Sequence, residues 1–169
     1  MEHKWAKGAV LIRLALLIAL EVILSRFLSI STPLVKIGFA FVPLAMAGIL
    51  YGPKGGMIVG GMADFLGAIL FPIGTYHPGF TLVAVLKGLV WGVALRDGGC
   101  EKLSRITVAG LISGVVLSLG MNTIWIHQLF GTPVLALLGA RAVQELLVIP
   151  LQIVVIRLMG APAVRRALA

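Results

Sequence analysis

Asp64 and Lys87 are charges set deep inside long apolar runs, where an ionisable group is costly and marks either function or pairing. Counted along their runs, both lie at about the same depth, close to the middle of a bilayer-sized slab. Two chemistries suit them. One is an ion pair that locks two helices together; the other is a carboxylate at Asp64 that accepts paired N–H groups from a heterocycle. A second group, Arg141, Gln144 and Glu145, opens the last apolar run. Arg141 and Glu145 are one helical turn apart and can satisfy each other. Gln144 and Arg141, spaced by three, occupy an adjoining face, and Asn122 and Trp125 repeat that spacing at a matching depth in the preceding run. Two helices thus bring amide, guanidinium and indole groups to one level, which is how a small-molecule pocket is built.

The segment Phe71-Pro72-Ile73-Gly74-Thr75-Tyr76-His77-Pro78-Gly79-Phe80-Thr81 concentrates prolines, glycines and aromatics. The first two fix turns, and the aromatics either anchor among lipid headgroups or stack on a ligand. His77 and His127 stand at no metal-binding spacing, Cys100 is the single cysteine, and there is no H-E-x-x-H, so the usual zinc motifs are excluded. G-x-x-x-x-G-K-[ST] is absent, so no P-loop binds ATP, and G-x-S-x-G is absent too. An enzymatic reading is left with Asp64 and a distant histidine.

The elements that must carry these groups follow from composition. The chain has 169 residues, 60% hydrophobic and only 12% charged, with a mean hydropathy of +1.10. A soluble domain carries about 25% charged residues, so a soluble enzyme, a nucleic-acid module and a nucleotide-hydrolysing domain are all excluded. Apolar runs and their punctuation predict an all-α integral membrane protein. Its six transmembrane helices, spanning about 8–27, 37–51, 55–71, 79–96, 106–129 and 134–158, form one compact bundle and a single domain over 1–169. The first run reads as a retained helix rather than a cleaved leader. Pro43 is expected to kink the second span, and no run alternates with period two as a β-barrel strand would.

The net charge of +8 has a topological reading. Lys4, Lys7, Lys54, Arg96, Lys102, Arg105, Arg157, Arg165 and Arg166 fall on one side of such a bundle, while the opposite loops carry only Arg26 and Lys36. By the positive-inside rule both termini are cytoplasmic, and the polar groups above concentrate in the outer half. Gly56 and Gly60, Gly88 and Gly92, and Gly110 and Gly114 are spaced for close helix packing inside the bundle. Ala15 and Ala19 share that spacing, but on a helical wheel they fall with Val22 and away from Glu21, so this stripe can face another protein while Glu21 faces the bundle.

These residues resemble the substrate-binding S components of energy-coupling factor (ECF) vitamin transporters, most closely the folate-specific branch. The resemblance covers nearly the whole chain. It rests on ALLIALEVILSRFLSI with its A-x-x-x-A stripe, KIGFAFVPLAMAGILYGPKGG, GGMADFLGAILFPIGTYHPGFTLVAVLKGLVWG, NTIWI and RAVQELLVIPLQ. His77 stands where the family pattern has a second large aromatic, and Lys87 where it has an uncharged residue.

The resemblance implies a multi-pass protein of a prokaryotic plasma membrane that captures a vitamin from outside. It would dock through Ala15 and Ala19 on a membrane T component coupled to two ATPase subunits, then topple to release substrate inside. It implies no cofactor, with ATP used by the partner subunits only, and no nucleic-acid partner. For folate, Arg26 and Lys36, with Arg141 nearby, match the glutamate carboxylates. Phe39, Tyr76, Phe80 and Trp125 match the rings; Asn122, Gln144, Thr81 or Asp64 match the pterin edge. The nearer alternative is an S component for pantothenate, riboflavin or a thiamine precursor. The farther is a small membrane enzyme or a channel, although a channel would spread its polar groups through both leaflets.

Overall fold

The computed structural model describes residues 2–31 and 36–159. Helix α1 (Glu2–Arg26) is followed by two short antiparallel strands, β1 (Ser29–Ser31) and β2 (Lys36–Gly38), with Ile30 opposite Ile37. Then come α2 (Phe41–Leu70) and α3 (Pro78–Leu95), and a 3-10 turn (Gly99–Glu101). Next, α4 (Leu103–Leu111) passes into a π-helical segment (Ile112–Met121) and on into α5 (Asn122–Phe130), and α6 (Val134–Met159) ends the described fold. Among the described residues, five stretches are long and apolar enough to cross a membrane: Gly8–Arg26, Phe41–Leu70, Pro78–Leu95, Leu103–Phe130 and Val134–Met159. The protein is a multi-pass, all-helical membrane protein whose only strands among those residues form the small β1–β2 hairpin, which the sequence reading did not anticipate.

Local chemistry explains where these helices start and stop. Pro78 opens α3, where its missing N–H costs nothing, and His77, in extended backbone, accepts the Gly79 amide on Nδ1 at 3.0 Å. Gly131 ends α5 with φ 63° and returns its N–H to the His127 carbonyl at 2.9 Å.

The kink expected at Pro43 is not there, because Pro43 lies in the first turn of α2, where no helical hydrogen bond is lost. The break falls instead at Gly52, with φ 66° and ψ −156°, immediately before Pro53. A β-carbon at Gly60 would sit 3.0 Å from Leu44 Cδ1. In a straight helix those two positions would be about 24 Å apart along the axis, so the chain folds back on itself at Gly52. The expected second and third spans are therefore two limbs of one broken element.

Close backbone approach joins α2 to α3. A β-carbon at Gly56 would overlap the Gly88 carbonyl, and one at Gly88 would overlap the Gly56 carbonyl. Gly114 meets α6 at Ile149, whose Cδ1 would be 2.7 Å from an added β-carbon. The largest core cluster gathers Leu44, Trp91, Leu95, Ile106 and Ile156 from α2, α3, α4 and α6. On α1, Ala15 and Ala19 are exposed while Leu17 and Glu21 are buried. Val22, which the wheel groups with the alanines, is also buried, at the border of the inward face.

Candidate functional site

One cavity of about 440 Å³ opens among α1, α2, α3, the π segment, α5 and α6. Its mouth is formed by Arg26, Ser29, Gly38 and the loop Pro72–Tyr76. Helix α3 contributes Phe80, Val83 and Lys87 at successive turns going inward, and α6 contributes Arg141, Gln144, Glu145 and Gln152. The π segment supplies Ser113 and Ser118 to the same wall. Its wider winding, with i→i+5 hydrogen bonds, brings positions five apart onto one face.

Of the residues that spacing and resemblance pointed to, Arg26, Asp64, Tyr76, Phe80, Asn122, Arg141 and Gln144 line this cavity. Thr81 stands just behind the wall, donating to Asp64 Oδ2 at 2.8 Å. That bond uses its single proton, so the Tyr76 hydroxyl, 3.1 Å away, donates to Thr81 Oγ1. The outer loop is thereby tied through α3 to α2. Trp125 also stands outside the lining. Its indole lies against Gly79 and stacks on His77, ring centroids 5.1 Å apart and planes 28° from parallel. The histidine therefore does a flat aromatic's work against the indole. Phe39 is not brought to the cavity; it is exposed beside Phe41. The side chain of Lys36 lies outside the described residues.

The ion pair considered between Asp64 and Lys87 does not form. Asp64 holds Thr81 and faces Arg26, whose Nη2 lies 4.0 Å from Oδ1 and 3.5 Å from the Asp64 carbonyl oxygen. Nor does Arg141 close on Glu145 within its own helix; its Nη2 donates across to the Ser118 carbonyl at 2.9 Å. Both outcomes leave charged groups turned toward the cavity.

The chain matches the family "ECF transporter, substrate-specific component" over residues 9–159. It belongs to that family. Among curated relatives, the folate transporter FolT of Clostridium novyi (strain NT) is 41% identical over 150 residues, 89% of this chain and 87% of its own. A folate transporter FolT of Leuconostoc mesenteroides subsp. mesenteroides is 29% identical over 145 residues, covering 83% of this chain and 78% of that one. Among solved structures, a crystal structure of FolT bound with folic acid superposes with a TM-score of 0.84 at 28% identity, covering 94% of this chain and 97% of that chain.

In this S component the cavity also gathers groups that sequence reasoning had assigned to packing. Spacing gives Lys87 and Glu145 to ion pairs and does not single out Gln152 or Ser118, yet all four line it with Glu21. Depth and side alone could have flagged them: Gln144 and Glu145, adjacent in sequence, each lie about two turns from Gln152 on one side of α6. Buried polar atoms without a hydrogen-bond partner concentrate here as well, among them Arg26 Nε, Asn122 Oδ1 and Gln152 Oε1 on cavity-lining residues. An unmet buried polar group costs about 1–3 kcal/mol, which a ligand that supplies the partner recovers.

Proposed function

We propose that this S component captures folate at the outer face of a prokaryotic plasma membrane and passes it inward when docked on a T component driven by two ATPase subunits. The chain is a transporter's substrate-binding component and not an enzyme. The observation that carries the folate reading is the solved FolT with folic acid bound, which aligns with this chain nearly end to end. The cavity's 440 Å³ falls in the range of small-molecule sites. In this reading the glutamate carboxylates lie toward Arg26 and Lys36 at the mouth. Tyr76 and Phe80 face the rings, with Trp125 and Thr81 bracing them from behind, and Asn122, Arg141 and Gln144 serve the head. No cofactor is required of this chain, since ATP is spent by the partners. Mass spectrometry of the small molecule released from purified protein tests the reading: folate or a reduced folate is expected, and a different vitamin in its place rejects it.

Six crossings with both termini inside complete the proposal, the Gly52 reversal dividing α2 into two limbs. Thr75 and Ser104 are both exposed. Cysteines introduced there should differ in intact cells, Thr75→Cys reacting with an impermeant reagent and Ser104→Cys being protected; equal or reversed labelling rejects the orientation.

Docking is assigned to Ala15 and Ala19, which stand exposed on α1. Small residues let helices approach closely, so Leu at both positions should hold a partner helix away. Uptake is expected to stop while the isolated double variant still binds ligand. Loss of binding by that variant would make the stripe part of the bundle's own packing.

A further inference from the structure

Lys87 projects from α3 into the cavity, about 9 Å inward of Thr81 along the helix axis. It is half-buried, and among the described residues its amine has no hydrogen bond and no ion pair within 4.0 Å. The charged side chains of Glu21, Asp64, Arg141 and Glu145 line the same cavity. Glu145 lines the same cavity and rests its carboxylate on Gly114, where an added β-carbon would come within 2.8 Å of Oε2. A cation at this depth in a membrane protein needs an acceptor, and the fold leaves that place to whatever fills the cavity.

A lysine ammonium only donates and an ionised carboxylate only accepts, so Lys87 and Glu145, lining one cavity, offer a donor and a pair of acceptor oxygens. The edge of a 4-oxo pterin runs the complementary way: the 4-oxo oxygen accepts, and N3–H and the 2-amino group donate. At the floor Lys87 and Arg141 stand among the carboxylates of Glu21 and Glu145, a mixed set that suits a neutral ring bearing both donors and acceptors, whereas Arg26 at the mouth suits the dicarboxylate tail, so in this reading the ring enters first.

We propose that Lys87 determines specificity by donating to the 4-oxo oxygen of the bound pterin while Glu145 accepts from N3–H and the 2-amino group, so that 4-oxo pterins are selected over 4-amino ones. This rests on the folate reading above. A 4-amino group puts a donor opposite the ammonium, leaving both without an acceptor, and discrimination of this kind comes from what the wrong ligand leaves unpaired.

The test is titration of purified protein with folate and with aminopterin, the 4-amino counterpart carrying the same tail, near neutral pH, where both rings are uncharged and folate keeps its N3–H. Wild type is expected to prefer folate by roughly 10- to 150-fold, the range for one hydrogen bond to a charged group. Lys87→Met should lose most of that preference by weakening folate while aminopterin binds as well as before or better. Lys87→Gln, whose amide both donates and accepts, should bind the two within a few fold and gives a second readout should Lys87→Met fail to fold. The proposal is overturned by an undiminished preference in these variants, or by wild type that binds folate and aminopterin equally. Wild type that binds no folate removes the underlying reading, and the proposal with it.

Discussion

Arg26→Ala is expected to weaken folate binding by roughly 10- to 150-fold, and to weaken a bare pterin without the glutamate tail far less. The guanidinium is 12% exposed at the cavity mouth. Its protein contacts are loose: 3.5 Å to the Asp64 carbonyl oxygen and 4.0 Å to the Asp64 carboxylate, with Nε unpartnered. A cation so placed is held ready for an anion without being neutralised, and a charge-assisted contact of this kind contributes about 1.5–3 kcal/mol. Intrinsic fluorescence reports occupancy, since Trp91 lines the cavity. Equal losses for folate and bare pterin would reject the placement of the tail at Arg26.

A leucine at Gly88 is expected to prevent α2 and α3 from packing and to leave no monodisperse protein in detergent. The two helices touch backbone to backbone at Gly56 and Gly88, where even a methyl group would overlap a carbonyl oxygen of the facing chain. Gly88→Ala should cost about 1–3 kcal/mol, read as a lower thermal midpoint, because overpacking forces the backbones to shift. The control is Gly139, also in a helix but with nothing within 4 Å of an added β-carbon. There an alanine should be neutral or stabilising by up to about 1 kcal/mol, since it removes a glycine's backbone freedom. Equal effects at the two positions would show that helical propensity, and not the α2–α3 contact, sets the outcome.

Much of this fold was legible because lipid imposes length and hydrophobicity on each crossing, and Gly, Pro and charge mark the ends of the runs. The spans beginning near 79 and 134 differ from α3 and α6 by a residue or so. The place of the break in α2 was harder to read. Proline disrupts a helix only where an amide is needed, and whether Pro43 sits in a first turn depends on where the helix starts. Strands β1 and β2 are three residues each, too short for an alternating pattern to stand out. At the site, residue type and depth brought Arg26, Asp64, Asn122 and Gln144 to one cavity. The partner of Arg141 was not legible: Glu145 is its neighbour in sequence, but the Ser118 carbonyl lies on another helix and is brought to it only by packing. Trp125 and Thr81 were found as polar or aromatic groups at the correct level, yet spacing cannot separate a residue on a wall from one directly behind it.

The π segment between α4 and α5 makes the chain unequal in its tolerance of length changes. Adding or removing one residue turns everything beyond it by about 100° around a helix axis. Within Ile112–Met121 a deletion that left the π winding in place would swing Asn122 out of the cavity and carry Trp125 away from His77, although neither had been mutated. The exposed turn at Gly131 lies past both and can absorb the same change without moving them. Over evolutionary time this crossing should vary by substitution and hold its residue count, while insertions and deletions collect in the connections on either side.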